Sequence, residues 1–171
     1  RARFDKMLTL RSAFEKDGTI TAANASKLDD GAAALILASG QAVEKHGLTP
    51  IATLVGYAAH APEPEWFTTA PVGAVDNVLK KTGLSVDDID LFEVNEAFAV
   101  VSMACVEKAA VPHAKMNVWG GAISLGHPIG CSGARIVVTL LHALQDRGEK
   151  RGLATLCIGG GEALAVVVER V

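Results

Sequence analysis

A chain of 171 residues, half of them apolar and a fifth charged, has the composition of a folded domain with a sizeable core, not of a disordered segment. The net charge of −3 is spread along the sequence and no basic run is longer than Lys80-Lys81, which argues against nucleic acid or an anionic membrane surface as partner. No apolar run is long enough for a bilayer and no secretory leader is visible. Three scattered cysteines, Cys105, Cys131 and Cys157, fit neither a disulfide framework nor a zinc pattern.

In chain order, residues 1–28 are polar and mixed and read as extended loop with one short helical turn. GAAALILAS (31–39) reads as a buried strand, and 39–47 as a helix closed by Gly47 in a left-handed cap. Residues 50–61 are β-like and 62–71 form a proline-punctuated loop. Over 72–83, Val72, Val75 and Leu79 share one helical face and Gly83 stops the helix. Ser85 and Asp88 make a capping box before a strand at 89–94. A helix capped by Asn95 is expected over 95–109, a short strand over AKMNVW (114–119), a helix over 132–148 and a strand over 153–158. After the glycine turn at 159–161, residues 162–171 form the last strand. This alternation predicts a layered α/β domain whose helices cover a mostly buried sheet.

Three stretches carry candidate chemistry. In GGAISLGHPIGCSGARI (120–136), Gly126, Pro128 and Gly130 force a loop around His127 and allow close approach by whatever occupies the site. The open N–H groups near Ser132-Gly133, where a helix begins, can face an anion or carbonyl. The same features also suit a plain tight turn with an exposed histidine. Cys157 ends an apolar strand just before a glycine turn, which suits either a packed thiol or a catalytic one. Asn95-Glu96 opens a helix directly after a strand, which suits either a helix cap or a polar pair facing a cleft.

Taken together, NEAFA (95–99), GGAISLGHPIGCSGAR (120–135) and CIGGGEA (157–163), in this order and spacing, resemble the thiolase family. The resemblance extends upstream through GTITAANASKLDDGAAALILAS (18–39) and covers essentially the whole chain. It implies an α/β thiolase fold, half of a layered αβα sandwich with a mixed sheet covered by helices. Residues 1–28 would be the tail of the loop domain that binds CoA, 29–48 the last strand–helix of the N-terminal domain, and 49–171 the C-terminal domain. Residue by residue, it implies that His127 and Asn95, the latter through a water, hold the thioester oxygen as it becomes an enolate. Cys157 would be the acid/base that moves the α-proton, and the Gly159 N–H half of a second oxyanion hole. Ala22, Ser26, Leu28 and Phe98 would line the pantetheine channel. CoA thioesters would be substrates, no metal or bound cofactor is implied, and a homodimer or homotetramer is.

Two departures stand out. Trp119 occupies a position where relatives commonly carry a smaller polar residue. No cysteine matches the family's acyl-accepting nucleophile, and the chain starts without methionine, so it is expected to be the C-terminal half of a longer protein and to need its N-terminal half for turnover. GYAAHAPEPEWFTTAP (56–71) resembles the acetoacetyl-CoA type, giving 2 acetyl-CoA to acetoacetyl-CoA plus CoA, or the reverse. The alternatives are a long-chain 3-ketoacyl-CoA thiolase, a non-catalytic CoA-ester-binding protein and a plain Cys-His hydrolase. A cytoplasmic location is expected, or a mitochondrial or peroxisomal one in a eukaryote.

Overall fold

A computed structural model describes residues 3–171. Its frame is one four-stranded mixed sheet in the order β1 (Ala52–His60), β4 (Ala163–Arg170), β3 (Arg151–Cys157), β2 (Leu91–Val94). The β1–β4 and β3–β4 pairs are antiparallel and β2–β3 is parallel. The parallel pair needs a crossover, and the long connection from 95 to 150 supplies it. Both stretches with loop motifs, 95–98 and 120–131, lie in that crossover.

Strand residues alternate between two cores, as the two-residue period of a strand requires. Phe92, Val94, Leu153, Cys157, Ala163, Ala165 and Val167 face one side, under α3 (Ala70–Thr82) and α4 (Ala99–Lys108). Leu91, Ala154 and Val168 face the other, under α6 (Ser132–Arg147), which contributes Ile136, Leu140 and Leu144. Gly152 lets α6 come down on β3, since a Cβ there would lie 2.7 Å from a Leu140 methyl. Three short helices complete the chain: α1 (Phe4–Met7), α2 (Gly40–His46) and α5 (Ala122–Leu125). No described helix is long and apolar enough to cross a membrane.

The helix ends follow the sequence closely. Gly47, Gly83 and Gly148 each take a left-handed cap with φ between 59° and 69°. The Ser85 N–H donates to the Asp88 carboxylate at 2.8 Å, closing the capping box.

Three expectations are corrected. Residues 31–39 form no strand: Ile36 and Leu37 are 94% and 84% exposed, because among the described residues no neighbouring strand satisfies this backbone. The helix expected from Asn95 begins at Ala99, with Phe98 in the cap position. Asn95 cannot start it, because its N–H is held by the Thr155 carbonyl at 3.0 Å and its carbonyl takes the Ala97 N–H at 3.0 Å. The expected strand over 114–119 is instead a helical turn, His113–Lys115, followed by a single bridge from Met116 to Phe92. Asn117 breaks the strand geometry at φ 48°, yet replaces its ladder: the side-chain carbonyl accepts the Val94 N–H and the side-chain amide donates to the Val94 carbonyl.

Candidate active site

Asn95 is fully buried just beyond the C-terminal end of β2, and its Nδ2 lies 3.4 Å from His127 Nε2. His127 is half-buried in the glycine loop before α6. Gly126 holds that loop at φ 98°, and a Cβ there would run into the Asp29 carboxyl. The other ring nitrogen, Nδ1, is 2.6 Å from Ser132 Oγ on the first turn of α6. Burial, with a smaller contribution from the Arg135 guanidinium, lowers the His127 pKa below its ordinary value. The ring is therefore neutral at physiological pH and offers one N–H.

Residues 24–31 cross over both loops as a strap. The Ser26 N–H donates to the Ala97 carbonyl at 3.0 Å, the Ala99 N–H to Asn24 at 2.8 Å and the His127 N–H to Lys27 at 2.9 Å. Gly31 lies against Pro128 and Cys131, where a Cβ would meet the proline ring at 2.8 Å. Ser26 is thereby half-buried beside the NEAFA loop, and Leu28, bridged to His127, is 78% exposed at its rim. Phe98 stacks edge-on against Phe14 and Phe67, with ring centroids 6.0 and 6.3 Å away. Ala22 is exposed in the turn that precedes the strap and makes none of these contacts.

Cys157 ends β3, two residues beyond the Thr155 carbonyl that anchors Asn95, so the thiol, the amide and the imidazole all come to one end of the β2–β3 pair. Burial raises its pKa, so it is a thiol able to give a proton. Gly159 follows in the exposed turn, its N–H without a hydrogen-bond acceptor among the described residues. Cys105 contrasts with this: it is fully buried within α4 and burial pushes its pKa up to about 12. Cys131 is half-buried next to the strap.

Glu93 and Arg135 escape a reading by motif, and so does the clamp that Glu96 makes. Glu93 and Arg135 form a buried ion pair at 3.8 Å, too long for a good hydrogen bond, and burial lifts the Glu93 pKa to about 7. Glu93 Oε1, Asn95 Oδ1 and all three Arg135 nitrogens lack hydrogen-bond partners among the described residues. Glu96 ties the loops together: its carboxylate accepts from Asn117 Nδ2 at 2.9 Å and from the Ile123 N–H at 3.1 Å. The sequence signals were Glu96 inside NEAFA and the Ser and Arg that follow His127. Their partners lie more than twenty residues away or depend on loop shape.

The Glu96 clamp explains Gly121, where a Cβ would overlap the carboxyl group. Gly121→Ala is expected to cost about 1–3 kcal/mol in urea denaturation by displacing a doubly bonded carboxylate. In a Glu96→Ala background the same change should cost less than about 0.5 kcal/mol. Equal costs in both backgrounds would show that Glu96 is not the obstacle.

A half-buried neutral imidazole, a buried carboxamide and a thiol at one sheet edge make donors for a developing oxyanion with a proton donor nearby. That constellation on an α/β sandwich is one able to stabilise a carbonyl oxygen as it gains charge. Residues 48–170 match the family model described as "Thiolase, C-terminal domain", and residues 1–41 match "Thiolase, N-terminal domain". The chain belongs to the thiolase family, a family of enzymes. It is 52% identical to an acetyl-CoA acetyltransferase of Chromobacterium violaceum over 99% of its length, and 50% identical to a probable acetyl-CoA acetyltransferase of Dictyostelium discoideum over 98%. Human mitochondrial 3-ketoacyl-CoA thiolase superposes on the whole chain with a TM-score of 0.96 at 46% identity. The chain spans 43%, 40% and 43% of these three proteins respectively.

Proposed function

We propose that this chain is the C-terminal catalytic region of an acetyl-CoA acetyltransferase, which converts two acetyl-CoA to acetoacetyl-CoA and CoA and runs the reverse thiolysis. In this reading residues 1–28 end the loop domain, 29–48 belong to the N-terminal domain and 49–171 form the C-terminal domain. The nucleophilic cysteine lies in an N-terminal half; its thiolate accepts the acyl group, and the departing CoA sulfur takes the Cys157 proton, which leaves Cys157 as the thiolate base. His127 and Asn95, the latter through a water, then hold the thioester oxygen of a second acetyl-CoA. Cys157 takes the α-proton as that oxygen becomes an enolate, and the enolate carbon attacks the acyl-enzyme, whose oxyanion is held by the Gly159 N–H. Collapse expels the nucleophilic thiolate and leaves acetoacetyl-CoA. Thiolysis reverses each step, with Cys157 returning the proton.

The observation that carries this reading is Asn95, held by the Thr155 carbonyl, beside His127 Nε2 at 3.4 Å, with a strap that ties Ser26 to Ala97 and bridges Leu28 to His127 across the same loops. An Ascaris suum thiolase, 47% identical to this chain, was solved with coenzyme A, which supports CoA thioesters as ligands. The exposed Ile36 and Leu37 support a missing neighbour, met by the N-terminal half and by dimer or tetramer formation. Three unbridged cysteines suit a reducing compartment such as the cytoplasm.

The test is CoA-dependent cleavage of acetoacetyl-CoA by this chain alone and after adding an N-terminal thiolase half. Silence followed by activity supports the reading. Activity from the chain alone would place the nucleophile among Cys105, Cys131 and Cys157 and overturn the split. A 3-ketoacyl-CoA thiolase for longer chains is the second reading, favoured by the 46% identity to the human enzyme of that name. Faster cleavage of a long 3-ketoacyl-CoA than of acetoacetyl-CoA would decide for it.

A further inference from the structure

Ser132 was singled out for its backbone N–H and not for its side chain, yet its hydroxyl is fully buried and, among the described residues, touches two groups that can share its proton. Oγ lies 2.6 Å from His127 Nδ1 and 3.0 Å from the Pro128 carbonyl. That carbonyl already accepts two backbone N–H groups, from Cys131 and from Ser132 itself, each at 2.9 Å. A carbonyl oxygen has two lone pairs, so a third donor would have to share one. Nδ1 is the nearer acceptor and the unoccupied one. The competing arrangement would put the ring proton on Nδ1 and leave Nε2 to accept from Asn95 Nδ2. At 3.4 Å, that contact is too long to hold the ring in that form.

We propose that Ser132 is a positioning residue that donates to His127 Nδ1 and so fixes the tautomer whose proton sits on Nε2, the nitrogen facing Asn95 and the cleft. Nε2–H then faces the cleft beside the Asn95 amide, so that one carbonyl oxygen can take Nε2–H directly and the amide through a water. An imidazole locked the other way would present a lone pair to an oxyanion and repel it. Because the ring is held uncharged by burial and by Arg135, a single proton is at stake and the hydroxyl decides its place. The inference rests on the acyl-transfer reading for what Nε2–H does, but the tautomer can be measured without turnover.

The experiment is ¹⁵N NMR of the ring nitrogens in the intact protein, with His127→Gln assigning the signals. In the unaltered protein, Nε2 should be the protonated nitrogen. Ser132→Ala should move part of the population to Nδ1–H and lower kcat about 10²-fold with little change in KM, whereas Ser132→Thr should keep the proton on Nε2. A ring protonated on Nδ1 in the unaltered protein, or unmoved by Ser132→Ala, overturns the proposal. If the alanine variant does not fold, the unaltered and threonine proteins still decide it. Absent turnover in the protein complete with its N-terminal half, with Nε2 protonated, would sink the acyl-transfer reading and leave this one standing.

Discussion

Replacing Cys157 with alanine is expected to lower kcat for CoA-dependent cleavage of acetoacetyl-CoA by about 10²–10⁴-fold, with KM little changed, in the protein complete with its N-terminal half. The size follows from removing a positioned proton donor while leaving the cleft walls in place. Serine should not rescue it, since a hydroxyl is a far weaker acid than a thiol, even one whose pKa burial raises. Full activity of Cys157→Ala would instead show that another group moves the α-proton, whereas no turnover by the unaltered complete protein would favour one that binds CoA esters without transforming them. Proton exchange at the α-carbon, followed by NMR in deuterated solvent, reads the same step separately from acyl transfer.

The second large effect is on stability. With a pKa of about 7 in the folded protein against an ordinary 4.5, Glu93 keeps its proton through a range where the unfolded chain has already lost it. The native state binds more protons there, so stability falls as pH rises from about 4.5 to 7, by about 3 kcal/mol in all. Glu93→Gln should flatten that part of the curve and leave the variant the more stable protein at pH about 8. Urea midpoints at acidic and alkaline pH check it, and parallel curves for the two proteins would refute it. The buried carboxyl lies on β2, two residues before Asn95. Its neutral form leaves the Arg135 charge less compensated, and that charge helps keep His127 uncharged.

Much of this was readable without coordinates because it is local. Glycines that end helices, the Ser85–Asp88 box and the last strand after the glycine turn depend on neighbours within a few positions, and all hold in the fold. The family blocks led to His127 and Asn95, which the structure brings together, and to Cys157 and Gly159 at the same sheet end. What the sequence misassigned was settled by distant partners. Asn95 has every local credential of a helix cap, but the Thr155 carbonyl takes its N–H first. AKMNVW has strand composition, but Asn117 meets the needs of the sheet edge with its side chain. GAAALILAS is apolar enough for a strand core, but a strand also needs a paired backbone, and none of the described strands provides one. The roles of Ser132 and Glu96 were invisible for the same reason: each depends on a loop conformation that no spacing rule encodes.

The strap of residues 24–31 also sets the order in which the molecule can assemble. The β3–β4 hairpin closes across a handful of residues, but the bond from the His127 N–H to Lys27 must close a loop of about a hundred. Contacts of such sequence separation form late, after the sheet has brought the crossover into place. The histidine loop should then be the last part of the chain to become ordered and the first to open. Amide exchange at His127 would report opening of the strap, not unfolding of the sheet beneath it.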